Sequence, residues 1–520
     1  MPPRNFRLLR VGQTLAIDVV HSRRMADQRL LRGFDNSKSR RKPGRGRRPK
    51  LAAATTAVAA LAGLSACGSL SADYQAPSAV RLGGPSGFSN SAVQTSEVRD
   101  ITTWWALFSD PTLVSLVDQT VAGNVDLARA AIRWKEAREA LAQSRAEAAP
   151  RLDLAASGGA TAARQPPAGS SYSAALDASW TLDLFGGLRR EREASAASLE
   201  AAGFDEASVL TAVVAEVARN YVDARSLESR IAIARKSLQT QDDDVQIAQW
   251  RAQAGLVSSL DVEKARAQRA QTSAALPDLI KAAASARHRI AVLTGRAPTA
   301  LNAFLGSSSE IPQAPWGLAI GAPLDALQRR PDVRRAERNL ASATARIGVA
   351  EAARYPSLTL TGTVSSSAAA LEDLGSAVTG TVLAEVAQTL LDGGRLESVV
   401  RQRKDEADDA YLAYQASVLG ALEDIENAQA QADAARERAE ALRVELGASQ
   451  AATLLARGQY RSGLTDFQTL LDAERTLLGA QDGLATARGD EAKAMIQLYL
   501  ALGGGWTPAS ASAERRGRIG

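Results

Sequence analysis

The sequence predicts a mainly α-helical chain with a transmembrane β part, built from two internal repeats. Three observations carry this prediction. Alanine is abundant and aromatic residues make up only 4% of the 520, which favours long helices over a β-sandwich. Long stretches space their apolar residues by threes and fours, whereas short ones alternate apolar with polar. Motifs of the first half return in the second at offsets of 206 to 209 residues.

The N-terminal 66 residues read as a leader. Residues 1–50 carry 15 Lys and Arg against three Asp, a net +12, while the whole chain is only +5. Everything after Lys50 is therefore at −7, and the basic balance lends no support to nucleic-acid binding by the body. An uncharged run, Leu51 to Gly63, follows, too short for a spanning helix and fitting a signal-peptide core. Leu64-Ser-Ala-Cys67 then resembles the lipobox of bacterial lipoproteins. That resemblance implies cleavage before Cys67 and acylation of it, and Gly68 after it implies export to the outer membrane. Read without it, a lone cysteine is a buried thiol. One Cys and two His (His21 and His288) supply neither a disulfide framework nor a Cys/His metal cage.

Residues 67–108 form a lipid-anchored N-terminal segment, Ser/Gly/Pro-rich near 76–95, and the first repeat occupies 109–298. Asp110-Pro111 opens it with an N-cap acceptor and a proline at the first helical position. The helix is expected to run to Ala149 and stop at Pro150. Two strands follow, at about 151–162 and 172–184. The second sets Tyr172, Ala174, Leu176, Ala178, Trp180 and Leu182 against Ser173, Asp177, Ser179 and Thr181. From Leu188 a helix of some 65 residues, about 100 Å long, carries a coiled-coil seam through Val217, Tyr221 and Ala224. Beyond the Gly255 turn a shorter helix returns, with an interruption and kink expected at Pro277.

A linker spans 299–323, and the second repeat, 324–503, has the same order of elements. Its strands fall at about 356–366 and 377–390, with Leu358, Leu360 and Val364 opposed to Ser357, Thr359 and Thr361. Residues 504–520 form a tail. Four strands per chain cannot close a barrel, and open edges cannot face lipid, so strands lying in a membrane require an oligomer. Strands of roughly 10 residues with one apolar face suit such a barrel.

Several motifs resemble the outer membrane factor (TolC-like) family, in particular the lipoprotein branch that serves resistance-nodulation-division drug efflux. They are Trp105-Ala-Leu-Phe108-Ser-Asp-Pro-Thr-Leu113, Trp180-Thr-Leu-Asp-Leu-Phe-Gly186, Leu327-Gln-Arg-Arg-Pro-Asp-Val333 and Leu498-Tyr-Leu-Ala-Leu-Gly-Gly-Gly-Trp506. The resemblance covers about Asp73 to Trp506. It implies a homotrimer, with a 12-stranded β-barrel in the outer membrane continued by a long periplasmic α-helical barrel. It also implies two partners, a periplasmic membrane fusion (adaptor) protein and an inner-membrane resistance-nodulation-division transporter. The implied function is a passive exit duct for drugs or other small molecules, without enzymatic activity, cofactor, metal or nucleic acid. Ducts of type I protein secretion or heavy-metal export share this pattern. A lipid-anchored periplasmic coiled-coil scaffold is the alternative of another class, and it would have no need of alternating strands.

The resemblance also implies site residues. The two hairpin tips that meet the adaptor correspond to Ala254-Gly255-Leu256 and Ser462-Gly463-Leu464, although Gly255 and Gly463 equally serve plain turns. A periplasmic gate corresponds to Asp472 and Arg475, with Gln468 where relatives carry an apolar residue. Taken alone, Asp472 and Arg475 are an i,i+3 surface ion pair.

Overall fold

A computed structural model of the chain describes residues 74–77, 101–162, 169–301, 310–313, 315–316 and 323–507, all within one compact unit, Leu64–Gly520. The leader, Cys67 and residues 508–520 lie outside the described residues. After a 3-10 turn at Trp104–Phe108, the first repeat runs α1 (Pro111–Gly123), α2 (Val125–Ala146), β1 (Arg151–Thr161), β2 (Gly169–Leu182), α3 (Gly187–Gln253) and α4 (Ser259–Leu293). The second runs α5 (Pro323–Arg329), α6 (Pro331–Ala352), β3 (Ser357–Ala368), β4 (Val378–Ala387), α7 (Arg395–Arg461) and α8 (Phe467–Ala501).

The long helices match residue for residue. α3 and α7 each have 67 residues, α4 and α8 each have 35, and both pairs are offset by 208. By motif alone Gly186-Gly187 aligns with Gly393-Gly394 and Leu293-Thr-Gly295 with Leu502-Gly-Gly504, and the constant offset corrects both matches. Gly186 pairs with Gly394, not Gly393, since both are helix N-caps, with φ of 81° and 86°. Gly295 pairs with Gly503, not Gly504, with φ of 74° and 76°.

Three expectations about the elements also change. The helix expected from Pro111 to Ala149 is broken at Asn124, whose extended backbone and side chain cap α2 by accepting from Leu127 N at 3.0 Å. α4 continues through Pro277 without interruption; Ser273 and Pro277 are exposed, so the carbonyl that loses its partner faces water. β2 and β4 stop short of 184 and 390, and beyond them Asp183 and Asp392 cap the next helices. Asp183 accepts from Arg189 N at 2.7 Å, and Asp392 from Leu396 N at 2.8 Å.

The helices form a wall of two tiers. In one tier α2, α3, α6 and α7 pack in that order, and in the other α4, α3, α8 and α7 do so. α3 and α7 run through both tiers, while α2 and α4 meet end to end beside them. At that joint Asn124 Nδ2 donates to Leu293 O at 2.9 Å. A Cβ on Gly123 would lie 2.6 Å from Thr294 O, and one on Gly295 would collide with Gly123 O. The second repeat builds the same joint between α8 and α6. There Arg330, buried, donates to Ala501 O at 3.2 Å and to Asp332 and Asp424 at 2.7 and 2.8 Å. Burial alone would raise the Asp332 carboxyl, but the Arg330 guanidinium overrides it and holds the group below the usual carboxylate range.

Around these joints lies the largest core, where the two terminal motifs singled out in the sequence meet. Trp104 stacks on Tyr499 at 5.5 Å, Gly505 N donates to Ile101 O at 3.1 Å, and Trp506 Nε1 donates to Arg329 O at 2.8 Å. Asp110 caps α1 and also accepts from the buried Tyr221 hydroxyl at 2.7 Å, so one carboxylate ties the repeat's entry to α3.

The strands form one antiparallel sheet in sequence order, β1-β2-β3-β4. Register puts Leu152, Ala178, Gly362 and Val382 in one row, and Leu154, Leu176, Val364 and Gly380 in the next, all on one face. The opposite face is polar: Asp153, Asp177, Thr363 and Thr381 share a row, and Thr363 Oγ1 donates to Asp177 at 2.7 Å. Leu383, beside Thr361, is an apolar exception on that face. β1 and β4 each pair on one side only among the described residues. No described helix is long and apolar enough to cross a membrane.

Candidate functional site

The tips of the two hairpins are built alike. Ala254 caps the C-terminus of α3, Gly255 turns at φ 71°, Gly255 N donates to Ala252 O at 3.0 Å, and Leu256 N donates to Arg251 O at 2.9 Å. Ser462 caps the C-terminus of α7, Gly463 has the same φ, and the matching bonds run from Gly463 N to Tyr460 O and from Leu464 N to Gln459 O. This double closure satisfies the last helix carbonyls and requires a left-handed residue. Nothing lies within 4 Å of a Cβ built on either glycine, so glycine is needed for its φ and not for room. The return helices start on Ser258, with Asp261 closing a capping box, and on Asp466, which accepts from Thr469 N at 2.8 Å. Each turn holds a leucine out into solvent, Leu256 74% and Leu464 79% exposed.

Behind the tips, Ala248, Val262, Tyr460, Phe467, Leu470 and Leu471 form a separate small core that binds the two hairpins together. Arg251 lies over the Tyr460 ring at 4.2 Å.

The structure brings Gln468, Asp472 and Arg475 together on one face of α8. Gln468 Nε2 donates to both Asp472 oxygens at 3.0 Å, and Arg475 Nη1 lies 3.2 Å from Asp472 Oδ1. Gln468 thus holds Asp472 from the tip side while Arg475 holds it from the other. Arg475 Nε also donates to Gln268 Oε1 at 3.2 Å, which links α8 to α4. Asp472 keeps 51% of its side chain exposed.

A second ionisable cluster, missed in the sequence, is buried between α3, α7 and α8. Asp244 and Glu474 are both buried and lie against each other, and Arg457 of α7 pairs with Glu474. Burial first, and the neighbouring Glu474 second, push the Asp244 carboxyl up to about 8. Its only sequence signal was the run Asp242-Asp243-Asp244 within a helix whose seam spacing must place one member inside. Among the described residues, no group of three or more His, Cys, Asp or Glu is gathered to hold a metal ion.

A sheet with one apolar face, continued into helices about 100 Å long that end in paired hairpin tips, defines the class: an outer-membrane channel. The family model described as outer membrane efflux protein matches residues 116–296 and 322–504. Nodulation protein T of Rhizobium leguminosarum bv. trifolii is 31% identical over 82% of this chain and 92% of its own. The pyoverdine export outer membrane protein OpmQ of Pseudomonas aeruginosa is 30% identical over 85% of this chain and 95% of its own. The outer-membrane channel OprN superposes with a TM-score of 0.78 at 34% identity, covering 84% of this chain and 100% of that one. The chain belongs to the outer membrane efflux protein family. It is an outer-membrane exit duct of an efflux pump, and its fold and family are those of passive channels.

Proposed function

We propose that the protein works as a homotrimeric duct that carries small molecules outward without transforming them. Its partners in this reading are an inner-membrane resistance-nodulation-division transporter and a periplasmic adaptor, which docks on Ala254-Gly255-Leu256 and Ser462-Gly463-Leu464. The supporting observation is the four-stranded sheet with an apolar face, whose outer strands β1 and β4 are each unpaired on one side among the described residues. Open edges are not tolerated in lipid, and three copies pair every edge in a 12-stranded barrel. The similarity to a pyoverdine export protein favours small molecules as cargo.

Cys67 carries the lipid anchor in this reading, after removal of residues 1–66, and the intact mass of the mature chain tests that. Asp472, held by Gln468 and Arg475, forms a constriction at the periplasmic end of the path. Three such carboxylates about one axis repel one another unless their basic partners offset them. Asp472→Ala removes the anchor of this cluster, so the conductance of single purified channels in planar bilayers rises. Unchanged conductance removes Asp472 from the gate.

A further inference from the structure

The constant offset of 208 places a first-repeat residue opposite each member of the constriction. Ser258 and Asp466 are matching N-caps, and Val262 and Leu470 are matching residues of the small tip core. Two positions beyond Val262 and Leu470 come Lys264 and Asp472, a base and an acid in equivalent places. Four positions before them stand Leu260, 60% exposed, and Gln468. α4 and α8 both leave the tip in the same direction and are bridged where Arg475 donates to Gln268, one turn beyond Lys264 on the same face of α4. Leu260 and Lys264, at i and i+4, are therefore level with Gln468 and Asp472, while Arg475 is equivalent to Ala267 and meets the buried Gln268 beside it. The charge of Lys264 reaches α8: after the hydrogen bonds from Thr469, its field helps hold the Asp466 carboxyl below the usual range.

We propose that Lys264 and Asp472 together line one constriction whose charge alternates in sign, with Lys264 cancelling the cation preference an aspartate ring would impose. This rests on the reading that Asp472 faces the path. Equivalent residues on equivalent helices face the same way, so in a trimer three ammonium groups interleave with three carboxylates. Rings of one sign select ions of the other, whereas a mixed ring does so weakly. Leu260 then supplies, from the first repeat, the apolar side chain that Gln468 does not supply from the second.

The test is the reversal potential of purified channels in neutral planar bilayers across a KCl gradient. Lys264→Gln shifts it toward the potassium equilibrium potential and Lys264→Glu shifts it further. Lys264→Arg leaves it at the wild-type value, and Asp472→Asn moves it in the opposite direction. Each variant is first checked for a heat-resistant oligomer; should Lys264→Glu fail to assemble, Lys264→Gln decides. If Asp472→Asn shifts the potential and neither Lys264→Gln nor Lys264→Glu does, Lys264 is off the path and the proposal fails while the Asp472 reading stands. If no variant shifts it, both fall.

Discussion

Asp244 is a carboxyl group enclosed by three helices, with Glu474 against it and Arg457 reaching the same Glu474. Burial, then Glu474, then the nearby Asp243 favour its neutral form, and Arg457 opposes them. Its folded value of about 8 lies above the roughly 3.9 of an unfolded aspartate, so the folded chain retains a proton that the unfolded chain releases. The stability this contributes is fully present below about pH 4 and is lost as pH rises through about 8. The heat-dissociation midpoint of the purified protein is therefore expected to fall between pH 5 and pH 9, and Asp244→Asn to flatten the slope. An Asn variant with the wild-type slope would assign the titration elsewhere. The Asp472–Arg475 pair was legible in the sequence because both residues sit on one helix at a spacing that makes them neighbours. Asp244 and Glu474 were not, since 230 residues separate them and only the packing of α3 on α8 brings them together.

The glycines separate two kinds of requirement at the scale of the element. At the joint, Gly295 has φ 74° and a Cβ there would collide with the Gly123 carbonyl, so both conformation and space demand glycine. At the tip, Gly255 has φ 71° with open space around it, so conformation alone does. Gly255→Ala is expected to cost about 1 kcal/mol, the usual cost of a left-handed alanine, and to lower the unfolding midpoint by a few degrees at most. Gly295→Ala must also separate two backbones, and its yield of heat-resistant oligomer should drop well below that of Gly255→Ala. Equal yields would show that the joint yields without strain. The elements themselves were readable from periodicity, and the strands lie within a few residues of their expected limits. The break at Asn124 was hidden because apolar spacing continues across it; only the contact with Leu293 O shows why a helix must restart there. The continuity of α4 at Pro277 was hidden because exposure, not propensity, decides whether the freed carbonyl finds water.

At the scale of the whole molecule, the sheet faces lipid on one side and the path on the other. Val382, in the middle of β4, is 87% exposed on the apolar face, and its neighbour Thr381 is on the polar face. Val382→Arg places a charge near the middle of the bilayer, at a cost of about 2–4 kcal/mol. The outer-membrane fraction of this variant should fall, while Thr381→Arg inserts as the wild type does; equal insertion would reverse the assignment of faces. This architecture was legible because alternation and duplication are both one-dimensional signals. The metric identity of the repeats was not, since residue matches drift by one or two where the helices keep a constant 208. The end-to-end joints have one further mechanical consequence. α4 is a rod of 35 residues, about 52 Å long at 1.5 Å per residue, seated at one end on the glycine contact with α1 and free of α2 beyond it. A tilt of about 5° at that seat sweeps the far end through about 5 Å, the pitch of one helical turn. Because α4 is packed along α3 and held in the tip core, such a tilt carries the α3–α4 hairpin with it, and the small contact at the joint sets the position of a tip about 50 Å away.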